Sequence, residues 1–481
     1  MNDKNPRRLS RRDLLRLAGL TGGTLLASNL VGCGTGATST AAPAAPTTAP
    51  AAAPPTAAQA APTSAPAVVS AKGTVKFWHV WGGDRQPIME KVIANFQQQN
   101  PDIKIEHTVL SQQGLYEKYL TAIAGGDPPE VMMIHSRQMP AFADKDSLNP
   151  VADLVTRDQL DLESIFYRAD VRFHQWDGTQ IGMPQTSSGG WYLLFWNKAH
   201  FKEAGLDPDT APKTWSEYFD YAKALTKKSG DTIQRVGALF WYLDNNHWME
   251  YTFANGGHLY SDDGKKVLYD SEAALAALQY EKESLDQLYG GYEKVRSFAT
   301  QPGAGGGEAN QSFFNGQLSM HVNGQWHFLQ LSKEAPDLDY GVGLFPYNDK
   351  NPDAKSLQFS DGGWGFYIPK GAKNVDAAWE WIKYTTMGEG QKDFFLAQGR
   401  PTVVPEFNQD PKYLEVNPHW PVLQEALNTT TFSPVNPEYP QARKIIDQFT
   451  EEALVGKRTP EDAVKWGTEQ VQKIYDEYYN Q

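Results

Sequence analysis

The sequence is poor in cysteine. Cys33 is the only one among 481 residues, so no disulfide can form within the chain. Basic residues are fewer than acidic ones, and the formal net charge of −13 argues against nucleic acid and anionic membrane surfaces as partners.

Catalytic motifs are missing as well. The sequence contains no His-Glu-x-x-His pair, no Gly-x-Ser-x-Gly turn and no phosphate-binding Gly-rich loop. The carboxylate pair of a glycoside hydrolase has no motif of its own, and the 57 acidic residues do not exclude such a pair. We therefore predict a protein without catalytic residues, cofactor or bound metal, and keep a secreted carbohydrate-active enzyme as the less favoured alternative.

The beginning of the chain has the pattern of an export signal. Arg11 and Arg12 precede an uncharged, largely apolar stretch over residues 17–30, which is too short to stay across a bilayer. The order Ser-Arg-Arg-x-Leu-Leu resembles a twin-arginine signal, although any basic signal region can hold two arginines by chance. Cys33 directly follows Leu-Val-Gly, as in a bacterial lipobox, and a buried thiol is the alternative. We predict an exported protein anchored to the outer face of the cell membrane by lipid on Cys33.

Residues 34–72 are predicted to form a tether. Between residues 34 and 71 the sequence is mostly alanine, proline and threonine, without charge or apolar periodicity, so it cannot form a core. Proline-rich chain extends by roughly 3 Å per residue, which gives this segment a reach on the order of 100 Å. The roughly 410 residues that follow exceed what one hydrophobic core usually supports, so we expect two lobes.

Strands and helices alternate after the tether. The apolar patterns predict a strand, a helix, a strand, a helix and a strand over residues 75–78, 86–99, 103–109, 116–124 and 131–134. This order predicts an open, doubly wound sheet, in which ligands bind at the carboxyl ends of the strands. Residues 78–83 and 135–138 fall at such ends.

The rest of the chain continues to mix the two kinds of element. Thr214 and Glu217 have the spacing of a capping box, so a helix is predicted to begin there. Further strands are predicted over residues 191–196, 238–242 and 317–322, and further helices over 271–289, 376–386, 390–398, 440–454 and 460–478.

Six stretches of the sequence together resemble one family of proteins. In chain order they are "VKFWHVWGG", "YLTAIAGGDPPEVMMI", "LLFWNKAHFKEAGLDPDTAPKTWSEYFDYAKAL", "FFNGQLSMHVNGQW", "GGWGFYIPKGAKNVDAAWEWIKYTT" and "GRPTVVP". They are similar to the family 1 extracellular solute-binding proteins of ATP-driven importers, the maltodextrin-binding type. Glu130 stands where this family commonly has aspartate, so its role stays open.

The resemblance implies an α/β protein with the two-lobe, class II periplasmic-binding-protein fold, in which doubly wound sheets are joined by a hinge. The implied first lobe contains residues 73–184 and 361–400, and the second contains 185–360 and 401–481. The chain would cross between the lobes near residues 184–186, 359–361 and 400–405. The implied partners are a small ligand in the cleft and the transmembrane subunits of an ABC permease, with the binding protein itself a monomer.

Tryptophans beside glycines and polar residues recur at the predicted strand ends. Because a sugar has apolar ring faces and hydroxyl edges, its site needs aromatic rings beside hydrogen-bonding groups. The residues expected to contact ligand are Trp78, Trp81, Gly82, Gly83, Asp127, His135, Ser136, Ser187, Trp191, Trp241, Gln325, Trp326, Asp361, Trp364 and Arg400. Four of them have a structural alternative: Trp78 and Trp191 in the core of a strand, Asp127 in a turn, and Arg400 in a salt bridge between the lobes.

The predicted strand ends are rich in aromatic residues and carry few charges, which favours a carbohydrate ligand. An oligosaccharide is expected, because the site would offer several stacking platforms. The alternative is another small solute: a peptide or polyamine, marked by paired acids, or a phosphate ester, marked by clustered arginines and helix N-termini.

Overall fold

The computed structural model describes residues 71–240, 247–299, 308–434 and 436–480. Arg11, Arg12, Cys33, nearly all of the predicted tether, and Trp241 lie outside the described residues. What was predicted for them stays a prediction.

Strands and helices alternate along the described chain. The strands are β1 Gly73–His79, β2 Ile103–Val109, β3 Val131–His135, β4 Leu148–Asn149, β5 Gln175–Trp176, β6 Thr179–Gln180, β7 Gly182–Pro184, β8 Tyr192–Asn197, β9 Lys227–Ser229, β10 Thr232–Ala238, β11 Leu318–Gly324, β12 Tyr340–Leu344, β13 Gln358–Ser360, β14 Trp364–Pro369 and β15 Thr430–Phe432.

The helices differ widely in length. Those of eight or more residues are Gln86–Gln99, Leu115–Ala124, Trp215–Leu225, His247–Ala254, Glu272–Tyr289, Tyr292–Ala299, His327–Glu334, Val375–Thr386, Glu389–Leu396, Trp420–Asn428, Tyr439–Leu454 and Pro460–Tyr479. The shorter α-helices are Met139–Ala143, Ala152–Arg157, Leu162–Ile165, Arg168–Phe173, Lys198–Glu203, Glu308–Phe314 and Lys412–Val416. Among the described helices, none is both long and apolar enough to cross a bilayer.

The first sheet has the strand order β2-β1-β3-β14-β4, with β7 also paired to β14. β1 is parallel to β2 and β3, and helices connect these strands, so the predicted β-α-β-α-β beginning is confirmed. The helix Gln86–Gln99 buries Met89, Val92, Ile93 and Phe96, which recur at helical spacing on one face. β14 was not predicted; it enters the sheet antiparallel to β3, more than two hundred residues further along the chain.

The second sheet has the order β12-β8-β11-β10-β9. β8 lies inside it, antiparallel to both neighbours, and all six of its residues are buried. β10 and β11 form a parallel pair, so this sheet mixes parallel and antiparallel strands. The predicted parallel, doubly wound arrangement describes β1, β2 and β3 of the first sheet more closely than it describes the second sheet. The strand predicted over residues 238–242 is wrong for the residues that the structure describes: β10 ends at Ala238, and Leu239 and Phe240 are buried outside any strand. A run of apolar residues indicates that the segment is buried, but it does not by itself indicate that the segment pairs as a strand.

Two hydrophobic cores contain most of the large apolar side chains. The first draws its residues from 75–183 and 366–404, and the second from 191–359 and 413–475. The chain therefore passes between the cores after β7, before β14 and after the helix Glu389–Leu396. This alternation supports the predicted lobes, whose boundaries remain a prediction. Val403 and Val404 belong to the first core although a boundary at residue 400 would assign them to the second lobe.

Candidate functional site

Five of the predicted ligand-binding residues form a continuous series of ring contacts, which we call the aromatic row: Trp81, Trp364, His135, Trp191 and Trp326. The distances between successive ring centroids are 6.5, 5.2, 5.3 and 5.6 Å. The planes are steeply inclined, between 64° and 89°, which is the edge-to-face arrangement that aromatic quadrupoles favour. The aromatic row thus runs from a residue of the first core to residues that pack in the second.

The sheet topology explains the first half of the aromatic row. β1 and β3 are parallel, so their carboxyl ends lie at the same edge of the sheet, where Trp81 and His135 follow or end them. β14 runs the other way, and its first residue, Trp364, is paired with His135 in the register. Strand directions therefore bring together three residues that are far apart in sequence.

The second half of the aromatic row depends on the pairing of β8 with β11. Tyr192, the first residue of β8, is paired with Gly324, the last residue of β11. Trp191 and Trp326 flank this pair and consequently meet. A Cβ atom on Gly324 would lie 2.2 Å from the Trp326 ring, so the missing side chain is what lets the indole fold back over the strand end.

The turn that carries Trp81 is fixed by a histidine that sequence analysis missed. Nδ1 of His79 accepts a hydrogen bond from the backbone N–H of Trp81 at 3.1 Å. Nε2 of His79 lies 3.0 Å from Nδ1 of His107, so His79 carries its proton on Nε2 and donates it there. Burial, with a smaller contribution from His107, lowers the pKa of His79 to about 3. Gly83 follows with a φ of +58°, a conformation that suits glycine.

Trp81 is only 4 % exposed and is surrounded by rings and cations. The guanidinium carbons of Arg85 and Arg400 lie 5.6 and 6.0 Å from the centre of its ring, and Phe394 lies 5.5 Å away. A ligand ring therefore cannot stack on an indole face that a guanidinium covers. The indole Nε1 and the Nε atoms of both arginines are buried without a hydrogen-bond partner among the described residues.

Arg400 does not form the salt bridge that was considered for it. Within the described residues it has no carboxylate within 4 Å, and its Nη1 donates a long hydrogen bond of 3.4 Å to Gln398 Oε1. Arg85 was not predicted as a site residue. Its position directly after Gly82, Gly83 and Asp84 is the only signal of it in the sequence.

The first chain crossing contributes polar groups beside the aromatic row. Gln325 Nε2 donates to the carbonyl of Gly189 at 2.9 Å, and Trp191 Nε1 donates to the carbonyl of Ser187 at 2.9 Å. Ser187 Oγ accepts the N–H of Gly189. These bonds fix the crossing, while Gln325 Oε1 and His135 Nε2 remain buried without a partner in the described part of the chain.

Asp361 lies at the second crossing and is already engaged. It accepts hydrogen bonds from Arg137 Nη1 at 3.3 Å and from the Tyr439 hydroxyl at 2.7 Å. Burial acts to raise the pKa of Asp361, but Arg137, His135, the Tyr439 hydroxyl and Arg443 together outweigh burial, and the pKa is lowered. Ser136 Oγ donates to the Asp361 carbonyl at 3.4 Å. Asp361 and Ser136 therefore join segments of the two cores, and any ligand contact would be additional.

Two predicted residues lie apart from the aromatic row. Asp127 precedes β3, at the edge of the sheet opposite His135, and its side chain is 69 % exposed and paired with Lys76 at 3.1 Å. The structure thus separates Asp127 from the other candidates and favours the turn alternative. Trp78 is half-buried and stacks on Tyr119, with centroids 6.2 Å apart. Glu130 is buried and accepts the backbone N–H of Lys76 at 2.7 Å, so it ties β1 to the start of β3.

A cavity of about 670 Å³ opens beside Ser136. Its apolar lining comes from two segments that are far apart in the sequence: Phe173 and Trp176 in the first, and Phe432 and Pro434 in the second. Its volume is within the range of about 300–1,000 Å³ that small-molecule sites occupy.

Aromatic rings and unpaired polar atoms thus gather where two α/β cores meet. That arrangement is typical of the two-lobed α/β proteins that bind a small ligand between their lobes. A family model described as bacterial extracellular solute-binding protein matches residues 91–421, more than half of the chain. The chain belongs to this family, and the predicted family resemblance is confirmed.

Individual proteins are similar to this chain over most of its length. The sn-glycerol-3-phosphate-binding periplasmic protein UgpB of Escherichia coli K12 is 25 % identical over 435 residues, which covers 82 % of this chain and 91 % of that protein. Among solved structures, the ABC substrate-binding protein Lmo0181 of Listeria monocytogenes, in complex with cycloalternan, has a TM-score of 0.71 at 20 % identity and covers 84 % of this chain and 99 % of that one. Maltose-bound MalE3 of T. maritima has a TM-score of 0.69 at 24 % identity and covers 83 % and 99 %.

Proposed function

We propose that this protein captures a sugar, in particular an oligosaccharide, and delivers it to the transmembrane subunits of an ABC permease. The observation that carries the proposal is the aromatic row, with its unpaired polar atoms, at the place where the two cores meet. Ring faces and edges suit the apolar faces of a sugar, and groups such as Gln325 Oε1 and His135 Nε2 suit its hydroxyls.

Several similar structures support a sugar as ligand. Besides the cycloalternan and maltose complexes, the GacH receptor of Streptomyces glaucescens, described in complex with acarbose, has a TM-score of 0.71 at 21 % identity and covers 84 % of this chain and 99 % of that one. The likeness in fold is shared by proteins with different saccharides. It therefore supports the ligand class and leaves the particular sugar to experiment.

The mechanism is capture without chemistry. A ligand that contacts both cores binds the closed arrangement better than an open one, and this difference in affinity is what shifts the population. Residues at the chain crossings would absorb the movement, as in other hinge-closing proteins. The protein acts as a monomer and needs neither cofactor nor metal for this role.

The site of action is the outer face of the cell membrane. Arg11 and Arg12 direct export, lipid on Cys33 anchors the mature chain, and the segment 34–72 spaces the binding domain from the surface. These proposals rest on the sequence pattern of the first 72 residues.

A thermal-shift screen of mono- and oligosaccharides tests the proposal, because a ligand that binds only the folded state raises its melting temperature. Trp326→Ala should then weaken binding of the best sugar at least tenfold in calorimetric titration. Trp466→Ala is the matched control. Trp466 is also half-buried, but it lies on the helix Pro460–Tyr479, where the Arg458 guanidinium covers its ring, and it does not belong to the aromatic row. No shift with any saccharide, or equal affinity in both variants, would contradict a sugar site at the aromatic row.

Trp81 is a poor mutational probe of ligand binding, although it is among the residues expected to contact ligand. A solvent-facing Trp81 could be replaced with little loss of stability, but the structure buries it against Phe394. Truncating a buried tryptophan costs about 3–5 kcal/mol, so a change in binding would be confounded with unfolding.

A further inference from the structure

Arg85 and Arg400 share one indole and lack an acidic partner. Both guanidinium carbons lie within 6.0 Å of the centre of the Trp81 ring. No carboxylate of the described residues lies within 4 Å of either arginine, and both Nε atoms are buried and unpaired. The neighbouring Asp84 is exposed and attracts Arg85 only from a longer distance.

Two other arginines that are buried or half-buried do have a carboxylate partner. Arg137 donates to Asp361 at 3.3 Å, and Arg235, which is buried in the second core, donates to Glu203 at 2.6 Å. Arg137 and Arg235 thus each have a carboxylate partner, whereas the two arginines beside Trp81 have none among the described residues. Burial lowers the pKa of Arg400 well below its usual range, and the charge of Arg85 lowers it further. The folded protein thus holds two like charges that are poorly compensated.

Contact with aromatic rings does not replace a counter-ion. A cation–π contact recovers only a small part of what it costs to remove an ion from water. Arg400 also lies 5.3 Å from the Phe395 ring, but a second contact of this kind leaves the balance unfavourable. A bound anion would offset the cost directly.

We propose that the ligand carries an anionic group, a carboxylate or a phosphate, which Arg85 and Arg400 bind at the Trp81 end of the aromatic row. Two guanidinium groups present forked donors that match either anion in geometry and charge. The proposal rests on the proposed function for the position of the ligand and narrows its class to a sugar acid or a phosphorylated polyol. The rest of the aromatic row then binds the uncharged part of the same molecule.

Inorganic phosphate is the simplest probe. Thermal melting of the purified protein is measured in phosphate and in chloride at equal ionic strength, for the parent chain, Arg85→Gln, Arg400→Gln and the control Arg296→Gln. Arg296 lies on the helix Tyr292–Ala299, with a half-exposed side chain near Glu293. Phosphate should raise the melting temperature of the parent and the control by several degrees more than chloride, and both Gln variants at the site should lose most of this gain. A parent protein that responds equally to the two salts would overturn the proposal, as would an undiminished response in both site variants.

Matched ligand pairs identify the source of the anion. Glucuronate is compared with glucose, galacturonate oligomers with neutral oligosaccharides, and sn-glycerol 3-phosphate and glucose 1-phosphate with glycerol and glucose, by calorimetric titration. The acidic member of at least one pair should bind tenfold or more tightly than its neutral partner, and Arg400→Gln should remove the difference. The pair that responds tells a sugar acid from a phosphate ester.

The same titrations separate this inference from the proposed function. Neutral saccharides that bind as well as the acidic ones would overturn the inference and leave sugar capture standing. Acidic ligands that bind when every saccharide fails would sustain the anion site and contradict the sugar. The difference in affinity between the acidic ligand and its neutral partner should also shrink at least tenfold between low salt and about 0.5 M salt, because added ions screen the attraction between the arginines and the anion.

Discussion

At the scale of single residues, His79 shows how a side chain outside the ligand site can control it. Its Nδ1 holds the backbone N–H of Trp81, and its Nε2–H points to His107. Both ring nitrogens are therefore committed while the ring is neutral. A second proton on His79 would break the bond to Trp81, because Nδ1 could no longer accept.

The stability of the protein should depend on pH through His79. Its folded pKa of about 3 lies below the usual 6.5, so the unfolded chain binds the proton first as the pH falls. The contribution of His79 to stability is thus fully present above pH 6.5 and is lost as the pH falls towards 3. Between pH 7 and 4.5, His79→Asn should lose less stability in urea unfolding than the parent, by up to about 2–3 kcal/mol.

The comparison of variants isolates this one histidine. Asp170, whose pKa burial raises to about 7, acts in the opposite direction but is present in both proteins. Identical pH profiles for the parent and His79→Asn would refute a titrating role for His79.

At the scale of elements, two glycines in the strands on either side of β8 have the same kind of contact with different consequences. A Cβ on Gly324 of β11 would lie 2.2 Å from the Trp326 ring, and one on Gly341 of β12 would lie 2.1 Å from the Trp196 ring. Trp326 belongs to the aromatic row, whereas Trp196 packs in the second core and donates to the Pro208 carbonyl.

Gly324→Ala should weaken ligand binding more than Gly341→Ala does. The new methyl group on Gly324 must displace the Trp326 indole, and a misplaced stacking surface should cost at least tenfold in affinity. Gly341→Ala should lower the melting temperature at least as much as Gly324→Ala does, because the Trp196 indole that it displaces is fully packed. It should leave the affinity for ligand within about threefold of the parent value. Melting curves and calorimetry on both variants check this, and an equal loss of affinity would indicate a general effect on the second sheet.

At the scale of the whole molecule, contacts around Asp361 join the two cores. Arg137 follows β3 in the first core, and Tyr439 begins a long helix that packs in the second. Both donate to the same carboxylate oxygen of Asp361, which sits on the segment between β13 and β14. A small number of buried polar bonds therefore contributes to how the cores are held together.

Tyr439→Phe should destabilise the protein by about 1.5–3 kcal/mol, since it removes a buried hydrogen bond to a charged group. Tyr413→Phe is a matched control: its ring stacks on Trp420, and its buried hydroxyl has no hydrogen-bond partner among the described residues. Removing that hydroxyl should be neutral or slightly stabilising. Urea unfolding of the two variants compares them directly, and equal losses would mean that the Asp361 contact contributes nothing specific.

The sequence by itself determined much of the local structure. Apolar spacing predicted the helix Gln86–Gln99 and the strands around it, because each of these elements buries one face through neighbours in the chain. The Thr214 side chain and Glu217 form the predicted capping box, which needs only four consecutive residues. The tryptophans and glycines at strand ends also identified most of the aromatic row, since the carboxyl ends of parallel strands share an edge.

Only the tertiary structure decided which candidates meet. It inserts β14 beside β3, which brings Trp364 to His135, and it places Asp127 at the opposite edge of the sheet. It also packs the half-buried Arg85 and the buried Arg400 against Trp81, with no carboxylate of the described residues within 4 Å, which no spacing in the sequence indicates. The reason is physical: patterns along the chain record which side chains avoid water, whereas charge compensation and ring contact depend on distances between segments that the chain brings together only by folding.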